Sequence, residues 1–202
     1  MTAQPPATQA PAAQTLARQT LLVFAHADEA EAFARDGVPH LITGVGKVNA
    51  ALELTRAITQ AIHTIEQVLV FGTAGAVRDD ARFDTVYQVT EVIQHDFSLT
   101  SPRLQLSSDL VGESATIATG DAFVTDDDER ERIAGLGASL VDMESYAYAS
   151  VCARLEVPLR IFKSPSDFAD SSTTMQEWDD VAVSKSEQLL RFAHTQLPEI
   201  LR

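Results

Sequence analysis

LVDMESYAYASVCARLEVPLRIFKSPSDFAD, residues 140 to 170, holds two apolar strand patterns joined by a helix pattern. LVDM (140 to 143) leads into ESYAYASVCARL (144 to 155), a helix candidate, and PLRIFKS (158 to 164) reads as the last strand. Each strand pattern runs out into carboxylates, Asp142 and Glu144 after the first and Asp167 and Asp170 after the second. Open α/β sheets place their ligands in crevices at the carboxyl ends of neighbouring strands. These four acids are therefore the first candidates for a functional site.

The same alternation extends outward. LLVFA (21 to 25) is a short apolar run followed by HADEAEAF, whose acidic start and alanines suit the first turn of a helix. HLITG reads as a second strand, and GVGKVNAALELTRAITQAI predicts a helix with Val48, Ala51, Leu52, Thr55 and Ile58 near helical spacing. VLVFG (68 to 72) is a buried strand ending in a small-residue turn, GTAGAV. TVYQVTEVIQHDF predicts a longer strand, TIATGDAFV a strand running into a polar turn, and DDDERERIAG a short surface helix. From Met175 to Leu197, the positions Val181, Val183, Leu189, Leu190, Phe192 and Leu197 fit an amphipathic terminal helix. Strand and helix alternation without an internal repeat predicts an α/β protein: one domain over 19 to 202, a central mixed sheet flanked by helices.

Composition narrows the function classes. At 202 residues with 45% hydrophobic content, the chain can bury one sizeable core without a second domain. A net charge of -14 disfavours a nucleic-acid partner, whose phosphates are met by Lys and Arg clusters that are missing here. Residues 1 to 18, rich in Ala, Gln, Pro and Thr, lack the parts of a signal peptide and are expected to form a flexible tail. No window approaches the apolar run of about 18 residues that a membrane span requires, so no membrane partner is expected. The single Cys152 lies in the apolar stretch VCARL, reads as a small core residue, and fits a reducing cytoplasm.

Taken residue by residue, the candidates keep two readings. The turn after Asp167 is open to a helix-cap role, Glu144 and Glu29 to favourable pairing with a helix dipole, and Phe123 to a place in the core. Thr73, Ala74 and Gly75 are open to a tight connection. His26 and His95 lie in turns or strand ends, but neither has metal-ligand spacing with another His or Cys; no metal and no cofactor are expected. Lys47 in GVGKV is a weak nucleotide signal without the rest of a phosphate loop.

Four strand-end segments decide between these readings by standing together in order: ITGVGKVNAA, FGTAGAV, IATGDAF, and VDMES followed by PSDFAD. The set resembles the nucleoside phosphorylase and nucleosidase superfamily, most closely its branch that hydrolyses methylthioadenosine and S-adenosylhomocysteine. The resemblance covers roughly residues 21 to 195. It implies a nucleoside phosphorylase-like fold, a small purine nucleoside as partner and homodimerisation. It implies that Asp167 gives a proton to the leaving base at nitrogen 7, with Ser166 orienting it. Glu144 and Met143 would meet the ribose, Phe123 would stack on the purine, and the backbone around Val124 would meet the base edge. Asp142 stands where the family usually has a longer Glu, and the segment between Asp96 and Ser114 is shorter than in the closest nucleosidases.

The nucleophile divides the family. Glu29 in HADEAE aligns with the glutamate that holds and activates water, with Asp28 or Glu31 as alternatives in a shifted register. Val70 stands where hexameric phosphorylases often have an arginine. Unpaired carboxylates would also repel a phosphate dianion. Hydrolysis is the expected reaction, with Thr73, Ala74 and Gly75 lining the sugar or the water. A phosphate-dependent phosphorylase and a nucleoside-binding protein without turnover are the alternatives.

Overall fold

The computed structural model describes residues 19 to 106 and 108 to 198, apart from the side chains of 177, 179 and 180. The tail expected over residues 1 to 18 lies outside the described residues. In chain order the elements are β1 (Gln19–Phe24), α1 (Ala27–Arg35), β2 (Leu41–Ile42), α2 (Lys47–Gln60), β3 (Ile65–Ala76), β4 (Tyr87–Gln94) and β5 (Leu104–Gln105). They continue with β6 (Glu113–Thr119), α3 (Asp127–Gly135), β7 (Leu140–Asp142), α4 (Ser145–Leu155), β8 (Leu159–Asp167) and α5 (Met175–Gln196).

The sheet is mixed, and its centre closes on itself. β3 runs parallel to β1 and β8, β8 is antiparallel to β4, β4 is parallel to β6, β6 is parallel to β7, and β7 returns antiparallel to β3. Short β2 extends the β1 edge and β5 the β4 edge. β3 is central, which explains its near-continuous apolar sequence: a strand buried on both faces has no water side to alternate toward. Its side chains still divide by period two. Val68 and Val70 join Ala50 and Leu54 of α2 and Tyr148 and Cys152 of α4 in one core cluster. Leu69 and Phe71 join Ala30 and Phe33 of α1 and Leu189 and Ala193 of α5 in another, with Phe24, Phe71 and Phe162 stacked through its middle.

Two sequence expectations fail, the second only in part, for physical reasons. The GTAGAV segment is no turn: β3 continues through Ala76, paired with β8 as far as Gly75↔Asp167 and with β7 at Gly75↔Val141 and Ala76↔Leu140. Its small residues answer close packing, since a Cβ on Gly75 would come within 2.8 Å of the Ala169 Cβ. The inward face of α2 is only partly the one expected: Ala51 and Ile58 pack against the core, but Val48 and Leu52 do not. Ala50 and Leu54 are fully buried, whereas Val48 and Leu52 are 76% and 61% exposed. Apolar residues occupy both sides of this helix, so spacing alone did not select the buried one. In α5 Leu189 is buried, as is Leu197 just past its end, and among the described side chains the other fully buried positions of the helix are the small Ala182, Ser186 and Ala193.

Candidate active site

Strand ends β1, β3, β7 and β8 open on one cavity of about 360 Å³. Its walls bring together the ten residues to which the resemblance gives a part in the site: Glu29 from α1, Thr73, Ala74 and Gly75 from β3, Phe123 and Val124 after β6, Met143 and Glu144 after β7, and Ser166 and Asp167 at the end of β8. Asp142, His26, Val45, Met175 and Trp178 also line it. Asp28 and Glu31 do not line it, so the register with Glu29 is the one that reaches the cavity.

Glu29 is 3% exposed and held from both sides. Its Oε1 accepts the Thr73 backbone N–H and the Thr73 hydroxyl, each at 2.7 Å, and its Oε2 accepts the His26 N–H at 3.1 Å. His26 in turn caps α1 by accepting the Asp28 N–H on Nδ1 at 3.3 Å. The helix-start reading of Glu29 is thus true of one oxygen, while the other is committed to β3.

At the start of α4 the division is different. Asp142 caps the helix: its carboxylate accepts the Ser145 N–H at 3.1 Å and the Ser145 hydroxyl at 2.5 Å, and also the Thr119 hydroxyl at 2.8 Å. Glu144 occupies the N-cap position but makes no side-chain cap bond. Its Oε1 instead accepts the Gly46 N–H at 2.8 Å, which points the carboxyl across to the turn before α2. The shorter acid does the capping, and the longer one is free for the cavity.

A residue missed in the sequence reading ties these acids together. Lys163 in β8 is 1% exposed, with Nζ 3.0 Å from Asp142 Oδ2. It pairs in register with Gly72, and a Cβ placed there would lie 3.1 Å from both Lys163 Nζ and Glu29 Oε1. A side chain there would press on both groups, and glycine leaves their meeting unhindered. Burial alone would drive the proton off Lys163, but the carboxylates of Asp142, Glu29 and Glu144 outweigh it and hold the ammonium above its ordinary range. One cation cannot neutralise three buried acids. Burial, reinforced by the Asp142 charge, pushes Glu144 up to about 8 despite Lys163 and the Gly46 N–H. The available signal was a lysine inside an apolar strand, in LRIFKS, a position that demands a buried partner.

Asp167 closes the other end. Its Oδ1 accepts the Ala169 N–H at 2.8 Å, and Ser166 donates its hydroxyl to Oδ2 at 2.6 Å. Ala169 has φ 51, a left-handed conformation costly for alanine, and its buried methyl presses on Gly75. Asp170 does not share the cavity. It braces the following turn by accepting the Ser172 N–H and hydroxyl. Phe123 is partly buried on the cavity wall, outside the core cluster that takes Val124.

The two remaining polar candidates are structural. Lys47 Nζ pairs with Asp96 at 2.7 Å, and the Lys47 N–H donates to Asp121 at 2.8 Å, fastening the start of α2 to the turn that carries Phe123. His95 is buried against Gly120 at the base of the same turn, away from the cavity. Burial pushes the Cys152 thiol up to about 12, which keeps it unreactive. Among the described residues, no group of three His, Cys, Asp or Glu side chains is placed to hold a metal ion.

A nucleoside-sized cavity at the strand ends of a mixed α/β sheet, walled by four acids, defines the class. The model of the phosphorylase superfamily matches residues 34–109 and 110–197, and the chain belongs to that family. It is 29% identical over 176 residues to a 5'-methylthioadenosine/S-adenosylhomocysteine nucleosidase of Bacillus cytotoxicus, covering 72% of this chain and 75% of that one. It is 26% identical over 182 residues to the aminodeoxyfutalosine nucleosidase of Helicobacter pylori, covering 77% and 78%. The fold is also that of a solved 5'-methylthioadenosine/S-adenosylhomocysteine nucleosidase from Helicobacter pylori, with TM-score 0.80 at 20% identity over 90% of this chain and 99% of that one.

The raised Glu144 has a measurable consequence for stability. Between the ordinary carboxyl value of 4.5 and about 8, the folded protein keeps a proton that the unfolded chain releases. Stability therefore falls as pH rises through that window, by up to about 1.4 kcal/mol per unit. Glu144→Gln removes the effect. Denaturant unfolding is expected to show the variant gaining stability over the unsubstituted protein at pH 8 and losing most of that advantage at pH 5. A difference that stays constant between the two pH values would place the proton elsewhere.

Proposed function

We propose that this protein hydrolyses the bond between base and ribose in a purine nucleoside of the methylthioadenosine and S-adenosylhomocysteine kind, releasing the free base. The observation that carries the reading is Glu29: a buried carboxylate fixed by Thr73 and His26 beside the Lys163 ammonium, in a cavity that Asp167 reaches from the other side. Gly72 and Gly75 mark the two stations along β3, three residues and about 10 Å apart. The separation leaves room for a nucleoside between a group that handles water and a group that handles the base.

The chemistry follows from those positions. A purine leaves poorly as an anion, so Asp167 supplies a proton at nitrogen 7 as the glycosidic bond breaks. The Ala169 N–H holds Oδ1 and the Ser166 hydroxyl holds Oδ2, which orients the carboxyl for that transfer. The sugar gains oxocarbenium character as the bond breaks, and Glu144, held toward the turn before α2 by the Gly46 N–H, is the acid that meets the ribose hydroxyls. Glu29 holds the water that attacks the anomeric carbon and takes its proton. Phe123 stacks on the base, and Met143 packs on the sugar.

Water is favoured over phosphate by charge. The described cavity lining contains four acids and no arginine or lysine, so a phosphate dianion would meet carboxylates without a cation of its own. The relatives named as nucleosidases support the same choice.

The working unit in this reading is a homodimer, in the cytoplasm that the free Cys152 suits. Val45 on the cavity rim leads onto exposed Val48 and Leu52 of α2, and the Lys47 to Asp96 pair holds exposed Phe97 and Leu99 nearby. An apolar surface of this kind marks an interface. Leu52→Glu is expected to convert a dimer to a monomer in light scattering; a parent protein that is already monomeric removes the dimer.

The reaction itself is tested by incubating methylthioadenosine with the protein in phosphate-free buffer. Free adenine is expected, and Asp167→Asn should lower kcat by about 10²–10⁴-fold. Undiminished activity in that variant would remove Asp167 from the mechanism, and strict dependence on phosphate would make the protein a phosphorylase.

A further inference from the structure

We infer that Trp178 is a positioning residue for Glu29, acting through the Thr73 hydroxyl; the role rests on the proposal that Glu29 handles the attacking water. Trp178 lies in the first turn of α5, half-buried on the cavity wall, and neither composition nor periodicity pointed to it. Its Nε1 donates to Thr73 Oγ1 at 3.0 Å, and that same oxygen donates to Glu29 Oε1 at 2.7 Å.

The chemistry of the three groups sets the direction of the chain. An indole N–H can only donate, while a hydroxyl has one proton and two lone pairs. With one lone pair taken by Trp178, the Thr73 proton is left to point at Glu29. The relay therefore holds Oε1 in place and directs the free lone pairs of the carboxylate toward the cavity. Without the indole, the hydroxyl can turn and spend its proton on other acceptors, water in the cavity among them.

A second contact bears on the other oxygen. The His26 ring packs edge-on against the Trp178 ring, with centroids 5.3 Å apart and planes at 78°. The His26 N–H is the donor to Glu29 Oε2. One side chain on α5 thus braces both residues that hold the two oxygens of Glu29, although α5 lies at the far end of the sequence. The contacts are specific to a tryptophan: a phenyl ring keeps the packing on His26 but has no proton for Thr73.

Steady-state kinetics and fluorescence test the role together. Trp178→Phe is expected to lower kcat for methylthioadenosine about fivefold to tenfold while KM stays within about twofold, since the relay orders the water site and not the nucleoside. In a Thr73→Val background, the same substitution should change kcat by less than about twofold; in Thr73→Ser, which keeps the hydroxyl, the full loss should return. Equal losses in all three backgrounds, or a loss carried by KM, would overturn the relay. Trp178 is the only tryptophan in the chain, so its emission reads the same contact without turnover. Thr73→Val should shift the emission maximum, and Thr73→Ser should leave it where the unsubstituted protein has it. Identical spectra in all three would also overturn the proposal. A protein that releases no adenine yet shows the shift keeps the Trp178 to Thr73 contact and loses only the nucleosidase reading.

Discussion

The ammonium of Lys163 is the charge on which the rest of the site depends. It is fully buried where β8 runs beside β3, and three carboxylates from two other parts of the chain, the start of α1 and the β7–α4 junction, converge on it. Removing one partner of such a buried pair typically costs about 3–5 kcal/mol, because the remaining charge has no water to turn to. The geometry that makes room for it is equally narrow. Gly72 stands opposite Lys163 in the register, and any side chain there would intrude on both the ammonium and Glu29. The cavity is therefore a compromise between packing and charge, in which the sheet tolerates buried acids only because one lysine lies among them.

That shortage of positive charge gives each acid a separate task. Asp142 takes the lysine directly and caps α4, so its short side chain stays inside the structure. Glu144, two residues on, makes no ion pair with the lysine, and burial makes it retain a proton more readily. Glu29 is satisfied by N–H and O–H donors from β3 and α1. The substitution of Asp for the family's usual Glu at 142 is compatible with this arrangement because the capping bonds to Ser145 and Thr119 need only the shorter reach. The site is asymmetric by construction, with a carboxylate held at both oxygens beside the place assigned to water.

Much of this was legible in the sequence because strand ends announce themselves. An apolar run that breaks into carboxylates, as in LVDMES and IFKSPSD, marks both the buried strand and the point where it meets solvent. What stayed hidden depended on partners distant in the chain. The small residues of GTAGA look like a turn until β7 and the Ala169 methyl are packed against them. Val48 and Leu52 look like a buried stripe until Ala50 and Leu54 are seen to face α4 and the sheet. Lys163 looks like an interruption of its strand, and Trp178 like one more aromatic on a helix, until Asp142 and Thr73 are found beside them. Local pattern locates elements; only the folded pairing tells which polar groups they bring together.

Water as the nucleophile is what gives Glu29 its role, and isotope labelling reads that choice directly. Methylthioadenosine turned over in H₂¹⁸O should yield free adenine and a methylthiopentose carrying one ¹⁸O at its anomeric carbon, in buffer with or without phosphate. An unlabelled sugar, or a pentose 1-phosphate in its place, would contradict hydrolysis and with it the role given to Glu29.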